Sequence, residues 1–331
     1  MSAVVESIPA PSWLEPIKSG LRRALQAGRL PHALLIHESP GAGGDWLAAW
    51  CAQLVLCAHP ARAPCGECAQ CRRVAQGGHP DLMWARPEEE GKALRIEQVR
   101  ELSAELALTS HGGGYKVGVL SPADALNRFA ANALLKTLEE PPARTLLVLV
   151  ATQPSRLPPT ILSRCQRLRV RSPERGQSLA WLESTRGPGP WARALEVVGE
   201  APARLGSADP AQLAHLGQDV RETLETLCRP GADPVAHAER WAREEWTLRL
   251  QLFENWLTER ILEGERAGVF MTELRADPYL SGAARVLNIR ELFRLTDAVR
   301  ELRAAQEVPL NRGLALEVLF RRLAEAAAGE R

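Results

Sequence analysis

The stretch His32–Trp50, "HALLIHESPGAGGDWLAAW", decides how the chain is read. An apolar run leads into a glycine-rich turn and then into a segment of helical spacing, which is the order strand, loop, helix. Against the phosphate-binding pattern G-x-x-x-x-G-K-[ST], the first glycine is Glu38, Gly43 is in place, the lysine is Gly44 and the hydroxyl residue is Asp45. Gly41, Gly43 and Gly44 can still offer backbone N–H groups at a helix start, a generic anion site. The lysine for the β- and γ-phosphates and the hydroxyl for Mg²⁺ are both replaced. Asp45 would favour the helix start as a first-turn acid, and with Glu38 it would repel phosphates. Productive Mg-ATP binding by this chain is therefore not expected, and an ordinary strand-turn-helix would read almost the same way.

Working outward, the flanking segments repeat the alternation. "DLMWAR", "YKVGVL", "TLLVLVAT" and "CQRLRV" are short apolar or alternating runs separated by segments of helical spacing. That pattern predicts an α/β fold with a largely parallel sheet covered on both faces. Ala123–Glu140 carries Leu126, Phe129, Ala130, Ala133, Leu134 and Leu138 at helical spacing and is stopped by Pro141 and Pro142. Past Ser172 strand patterns cease. Short helices are expected over Leu179–Thr185 and Trp191–Val198. Longer ones are expected over Ala211–Cys228, Asp233–Glu263, Asn288–Ala304 and Leu314–Ala326. The domain reading is 1–171 for the sheet module, 172–208 for a small helical lid and 209–331 for an all-helical domain. In the last, Trp241, Trp246, Leu250, Phe253, Trp256, Leu257 and Ile261 form a broad stripe, mostly core with some kept for an interface.

At 331 residues the chain is long enough for two or three domains, and 45% apolar with 24% charged residues is ordinary globular composition. The formal charge of +1 argues against a strongly basic nucleic-acid binder. No apolar run approaches the length of a membrane span. The start, "MSAVVESIPAPSWLEP", lacks the basic and apolar regions of a signal peptide. A cytoplasmic protein is expected, so its seven cysteines are thiols or metal ligands rather than disulfides.

Four of them, Cys57, Cys65, Cys68 and Cys71, are spaced C-x7-C-x2-C-x2-C. Two residues between thiolates let a tight turn bring both sulfurs to one ion, and four thiolates complete the tetrahedron of a structural Zn²⁺ site, with no position left for water. His59 could replace one ligand, although a nearby histidine is more often simply exposed.

A hydrolytic site also needs an acidic pair at a strand end. After "KVGVL" the chain reads "SPAD", so Ser121 and Pro122 stand where two acids are expected; Asp124 fits a helix start better than a metal site.

Taken together, "GRLPHALLI", the four-cysteine insert, "ANALLKTLEEPP" and "TILSRCQRLRV" resemble the clamp-loader subunits of bacterial DNA polymerase III, within the AAA+ class. The resemblance is strong over residues 12–172, and "LNRGLALEVLFRRL" resembles the family's last collar helix. The pattern of losses resembles a non-hydrolysing member. The resemblance implies an AAA+ module with a zinc-bearing insert, a lid, and a collar that joins the tau/gamma and delta subunits in a pentameric ring. The assembly, rather than this chain alone, would act on the sliding clamp and primed DNA. It also implies that Arg164, in "SRC", reaches into the neighbouring subunit's ATP site; the alternative is a helix C-terminal cap. Thr152 stands where the family keeps a polar sensor and is read as structural. Lys136, Glu139 and Glu140 face solvent or a neighbour, and Pro202, not Arg204, aligns with the lid arginine. Two rivals stay open. One is an ATPase drawing a cation from Lys116 or Arg22; the other is a stand-alone nucleic-acid binder using the four-cysteine segment. That segment carries Arg62, Arg72 and Arg73 but no aromatic residue for stacking.

Overall fold

The computed structural model describes residues 11–89, 92–205, 208–266, 289–305 and 310–328. The leader reading of the first ten residues and the expected helix position Asn288 lie outside them. The chain divides into two compact units, residues 1–189 with 200–207 and residues 190–199 with 208–331. The stretch 172–208, expected as one lid, is thus shared between them. Among the described residues no helix is long and apolar enough to cross a membrane.

The first unit is built on five parallel strands, β1 (Ala33–Glu38), β2 (Leu82–Ala85), β3 (Lys116–Leu120), β4 (Thr145–Ala151) and β5 (Gln166–Val170), in the order β2-β3-β4-β1-β5. Every residue of β3 and β4 is buried, which is why these segments read as continuous apolar runs. The helices are α1 (Glu15–Gln26), α2 (Gly44–Leu56), α3 (Ala69–Ala75), α4 (Ile96–Ala107), α5 (Arg128–Glu139), α6 (Pro159–Leu162) and α7 (Arg175–Arg186). One face of the sheet, through Ala33, Leu35, Leu147 and Leu149, packs on Leu102 and Leu106 of α4 and Leu134 and Leu138 of α5. Helix α2 contacts β1, β3 and β4, and the alternate residues Leu34 and Ile36 are fully buried.

The helix expected from Ala123 begins five residues later. Asn127 accepts from the Ala130 N–H at 2.9 Å and caps α5, and Ala123–Ala125 form a separate tight turn.

The second unit holds α8 (Trp191–Val197), α9 (Pro210–Leu227), α10 (Pro234–Arg243), α11 (Trp246–Arg266), α12 (Ile289–Ala304) and α13 (Arg312–Ala328). Asp209 and Asp233 cap α9 and α10 through the N–H groups of Ala211 and Val235, at 2.8 and 2.9 Å, each followed by proline at the first helical position. The segment Asp233–Glu263, expected as one run, is two helices broken at Glu245, whose φ is +44°. All seven stripe residues named from the sequence are buried. Trp241 packs edge-on against Phe320 with ring centroids 4.9 Å apart.

Candidate functional site

In a parallel sheet, ligand sites form beyond the carboxyl ends of the strands. Here that edge gathers the loop after β1, the residues after β3 and those after β4.

The loop turns into α2 at Gly43, whose φ of +106° is left-handed backbone that suits glycine. At Gly44 space decides: a Cβ would lie 2.7 Å from Val150 Cγ1 and 2.7 Å from Glu38 Cδ. The Glu38 carboxylate turns back into its own loop and accepts from the N–H groups of Gly43, at 3.1 Å, and Gly44, at 2.6 Å. Burial pushes the Glu38 carboxyl up to about 7, with the Asp45 charge adding to it; the two N–H groups and Arg204 pull the other way without winning. The loop is also clasped from outside. Trp13 donates its indole N–H to the Ala42 carbonyl at 2.8 Å, and the Ala203 N–H bonds the Gly41 carbonyl at 3.0 Å.

Asp45, one residue into α2, is bound on both oxygens. Ser121 donates its hydroxyl at 2.6 Å and Arg86 its guanidinium at 3.0 Å. Arg86 follows β2 and lies over the Trp84 ring, 4.3 Å from its centroid. Asp124 is buried rather than leading a helix, and it organises the end of β4. It accepts from the Thr152 N–H at 3.2 Å, the Thr152 hydroxyl at 3.0 Å and the Gln153 N–H at 2.7 Å. The two cations considered from sequence lie elsewhere. Lys116 is buried at the opposite end of the sheet, bonded to the Glu105 carbonyl at 2.5 Å, and Arg22 bonds the Ala63 carbonyl at 3.3 Å.

Arg164 lies between α6 and β5. Its guanidinium reaches the Glu139 carboxylate at 2.7 Å and donates to the Thr160 carbonyl at 2.9 Å, the latter a helix-capping contact. Its side chain is 34% exposed and that of Glu139 49%, so the ion pair contributes at most about 1 kcal/mol and exchanges readily for another anion.

The four cysteines converge. Their sulfurs all lie within 4.8 Å of one another, and Cys65 and Cys71 are 4.0 Å apart, compared with about 3.8 Å for the edge of a tetrahedron of Zn–S bonds. Backbone N–H groups of His59, Cys68 and Cys71 point at the sulfurs of Cys57, Cys65 and Cys68, each at 3.4 Å, the kind of outer support that thiolate ligands take. Burial raises the Cys68 thiol, but the N–H groups of Cys71 and Ala58 and the neighbouring thiols outweigh it and bring it to about 6. Burial and the sulfurs beside it push Cys71 the other way. His59 is exposed, and its ring is not part of the cluster.

The sequence reading missed three partners: Glu38 as an acceptor inside its own loop, Arg86 on Asp45, and Glu139 on Arg164. Only the first left a signal, an acid at the place of the pattern's first glycine.

The family model described as "DNA polymerase III, delta subunit" matches residues 13–174. The chain is 38% identical over 305 residues to the DNA polymerase III subunit delta' of Pseudomonas aeruginosa, covering 87% of this chain and 90% of that one. The same subunit of Escherichia coli is 38% identical over 221 residues, covering 66% and 64%. The DNA polymerase III subunit tau/gamma of Haemophilus influenzae is 36% identical over 159 residues, covering 48% of this chain and 23% of that protein.

Proposed function

The chain belongs to the family of DNA polymerase III delta' subunits, and from that membership we propose that it is a non-hydrolysing subunit of the replicative clamp loader. In this reading residues 1–171 form the AAA+ module, 172–208 the lid and 209–331 the collar. The subunit joins tau/gamma and delta in a pentameric ring. Through that assembly it helps place the sliding clamp on primed DNA in the cytoplasm.

The observation that carries the non-hydrolysing role is the fate of position 45. A hydroxyl there would ligate Mg²⁺; instead the Asp45 carboxylate is engaged by Ser121 and Arg86, while a Cβ at Gly44 would lie 2.7 Å from both Val150 and Glu38. With neither a phosphate-binding lysine nor an Mg²⁺-ligating hydroxyl in this loop, the chain's contribution to hydrolysis is made elsewhere.

Arg164 makes it, extending into the ATP site of the adjoining subunit. A planar, permanently charged guanidinium suits the spreading charge of a phosphoryl group in transfer. Glu139 holds it at the surface meanwhile, by a pair weak enough to release it. In the assembled loader, Arg164→Ala is expected to cut DNA-dependent ATP hydrolysis by about 10³-fold or more with the assembly intact. Unchanged turnover would remove Arg164 from the mechanism.

Cys57, Cys65, Cys68 and Cys71 hold one Zn²⁺ in a structural role. With four sulfur ligands the ion fastens the segment between α2 and α3 and takes no part in chemistry.

A further inference from the structure

We propose that the loop after β1 is filled by the chain's own side chains, with the Glu38 carboxylate in the anion position, the Asp45–Ser121 contact closing the metal position and the Arg86 guanidinium neutralising Asp45 from outside.

The anion half rests on donors and distances. The first N–H groups of a helix have no partner within it and draw an anion. Those of Gly43 and Gly44 point at one oxygen of Glu38, at 3.1 and 2.6 Å. A phosphate entering the loop would need the same two donors. It would also need the loop to widen, and Gly44 is packed against Val150 on one side while Ala201 and Ala203 close on Gly41 from the other.

The cation half rests on an exchange of groups. In a working site a hydroxyl at position 45 and an acid at the end of β3 face one another across a metal ion. Here the acid is at position 45 and the hydroxyl at Ser121. The two touch at 2.6 Å, which leaves no gap for an ion, and Arg86 supplies the positive charge from outside the pair.

The two replacements are complementary: a carboxylate stands for phosphate, and the Asp45–Ser121 contact closes the metal position. Together they hold the loop in a filled shape without any nucleotide. Burial, and after it the Asp45 charge, makes the Glu38 charge costly here, and the N–H groups of Gly43 and Gly44 work against that cost. This inference rests on the reading that the chain uses no nucleotide of its own, and it does not depend on Arg164.

The test takes the purified full-length chain and inorganic phosphate at low millimolar concentration, beneath the range in which phosphate stabilises proteins by exclusion, with chloride at matched ionic strength as the reference. Wild-type protein is expected to melt at the same temperature in both salts. Glu38→Ala, with its two N–H groups uncovered, is expected to melt lower in chloride and to recover progressively as phosphate is added. A wild-type chain that phosphate stabilises, or a Glu38→Ala chain that phosphate leaves unchanged, overturns the proposal. Should Glu38→Ala not fold, the wild-type chain with glycine-selective ¹⁵N labelling gives a second reading. The Gly43 and Gly44 amide protons must shift together with one midpoint as pH is varied, and must not in Glu38→Gln. Independent or absent shifts overturn it equally. Either failure leaves the Arg164→Ala assay in the assembled loader intact, so the two ideas fall separately.

Discussion

Asp45 accepts a hydrogen bond from Ser121 at 2.6 Å, joining the first turn of α2 to the residue that follows β3, 76 positions along the chain. The pair ties the loop to the centre of the sheet. Ser121→Ala leaves Asp45 with Arg86 alone and is expected to lower stability by about 2 kcal/mol, the usual loss for a part-buried bond to a charged group. Urea denaturation measures it, and a change below about 0.5 kcal/mol would mean that the contact holds nothing.

Restoring the lost lysine should fail. A Cβ at position 44 would press on Val150 and Glu38 at 2.7 Å, so both Gly44→Ala and Gly44→Lys are expected to destabilise by about 1–3 kcal/mol. Neither should gain nucleotide affinity in equilibrium dialysis, even when combined with Asp45→Thr. Tight Mg-ATP binding by that double variant would show the loop to be only chemically, not sterically, closed.

The pH dependence of stability follows from Glu38. Burial raises its carboxyl to about 7 in the folded chain, against 4.5 for an unperturbed side chain. The folded state therefore holds the proton that the unfolded state has released between those values, and stability falls as pH rises through that window and is level above it. The full swing is on the order of 3 kcal/mol. Glu38→Gln should abolish this part of the profile in denaturation series run from pH 4 to 8. A profile unaltered by the substitution would assign the slope to other groups.

Glu139→Gln separates holding Arg164 from using it. Because both side chains are substantially exposed, the isolated chain should lose less than about 1 kcal/mol. In the assembled loader, hydrolysis should fall far less than with Arg164→Ala. Equal losses would make Glu139 as necessary as the arginine.

The proposed zinc site predicts that removing its metal loosens one segment and spares the sheet. Cys65→Ser, or a strong chelator at neutral pH, is expected to release one zinc per chain by elemental analysis and to raise hydrogen exchange in residues 57–75. Retained zinc in the Cys65→Ser protein would exclude Cys65 as a ligand.

The chain order by itself determined the main elements, because each signal is local. The apolar runs at β1, β3 and β4 read as buried parallel strands, since strands covered on both faces have no polar side to show. The spacing of Cys57, Cys65, Cys68 and Cys71 announced a common centre, because short intervals between thiols constrain their geometry whatever the rest of the fold does. The replacements at positions 44 and 45 were likewise visible as letters. Helix limits were less legible. Asn127 overrode the apolar spacing upstream of it, and the positive φ at Glu245 divided a segment whose periodicity ran on.

Tertiary structure alone decided what the altered loop does. Glu38 is six residues from Gly44, Arg86 is 41 from Asp45, and Glu139 is 25 from Arg164. Arg86 and Asp45 meet beyond the carboxyl ends of β2 and β1, and Glu139 and Arg164 meet before the amino ends of β4 and β5; long crossovers make both meetings, and no local pattern records them. The letters say which residues stand at positions 38, 44 and 45; only the folded chain shows which groups they meet.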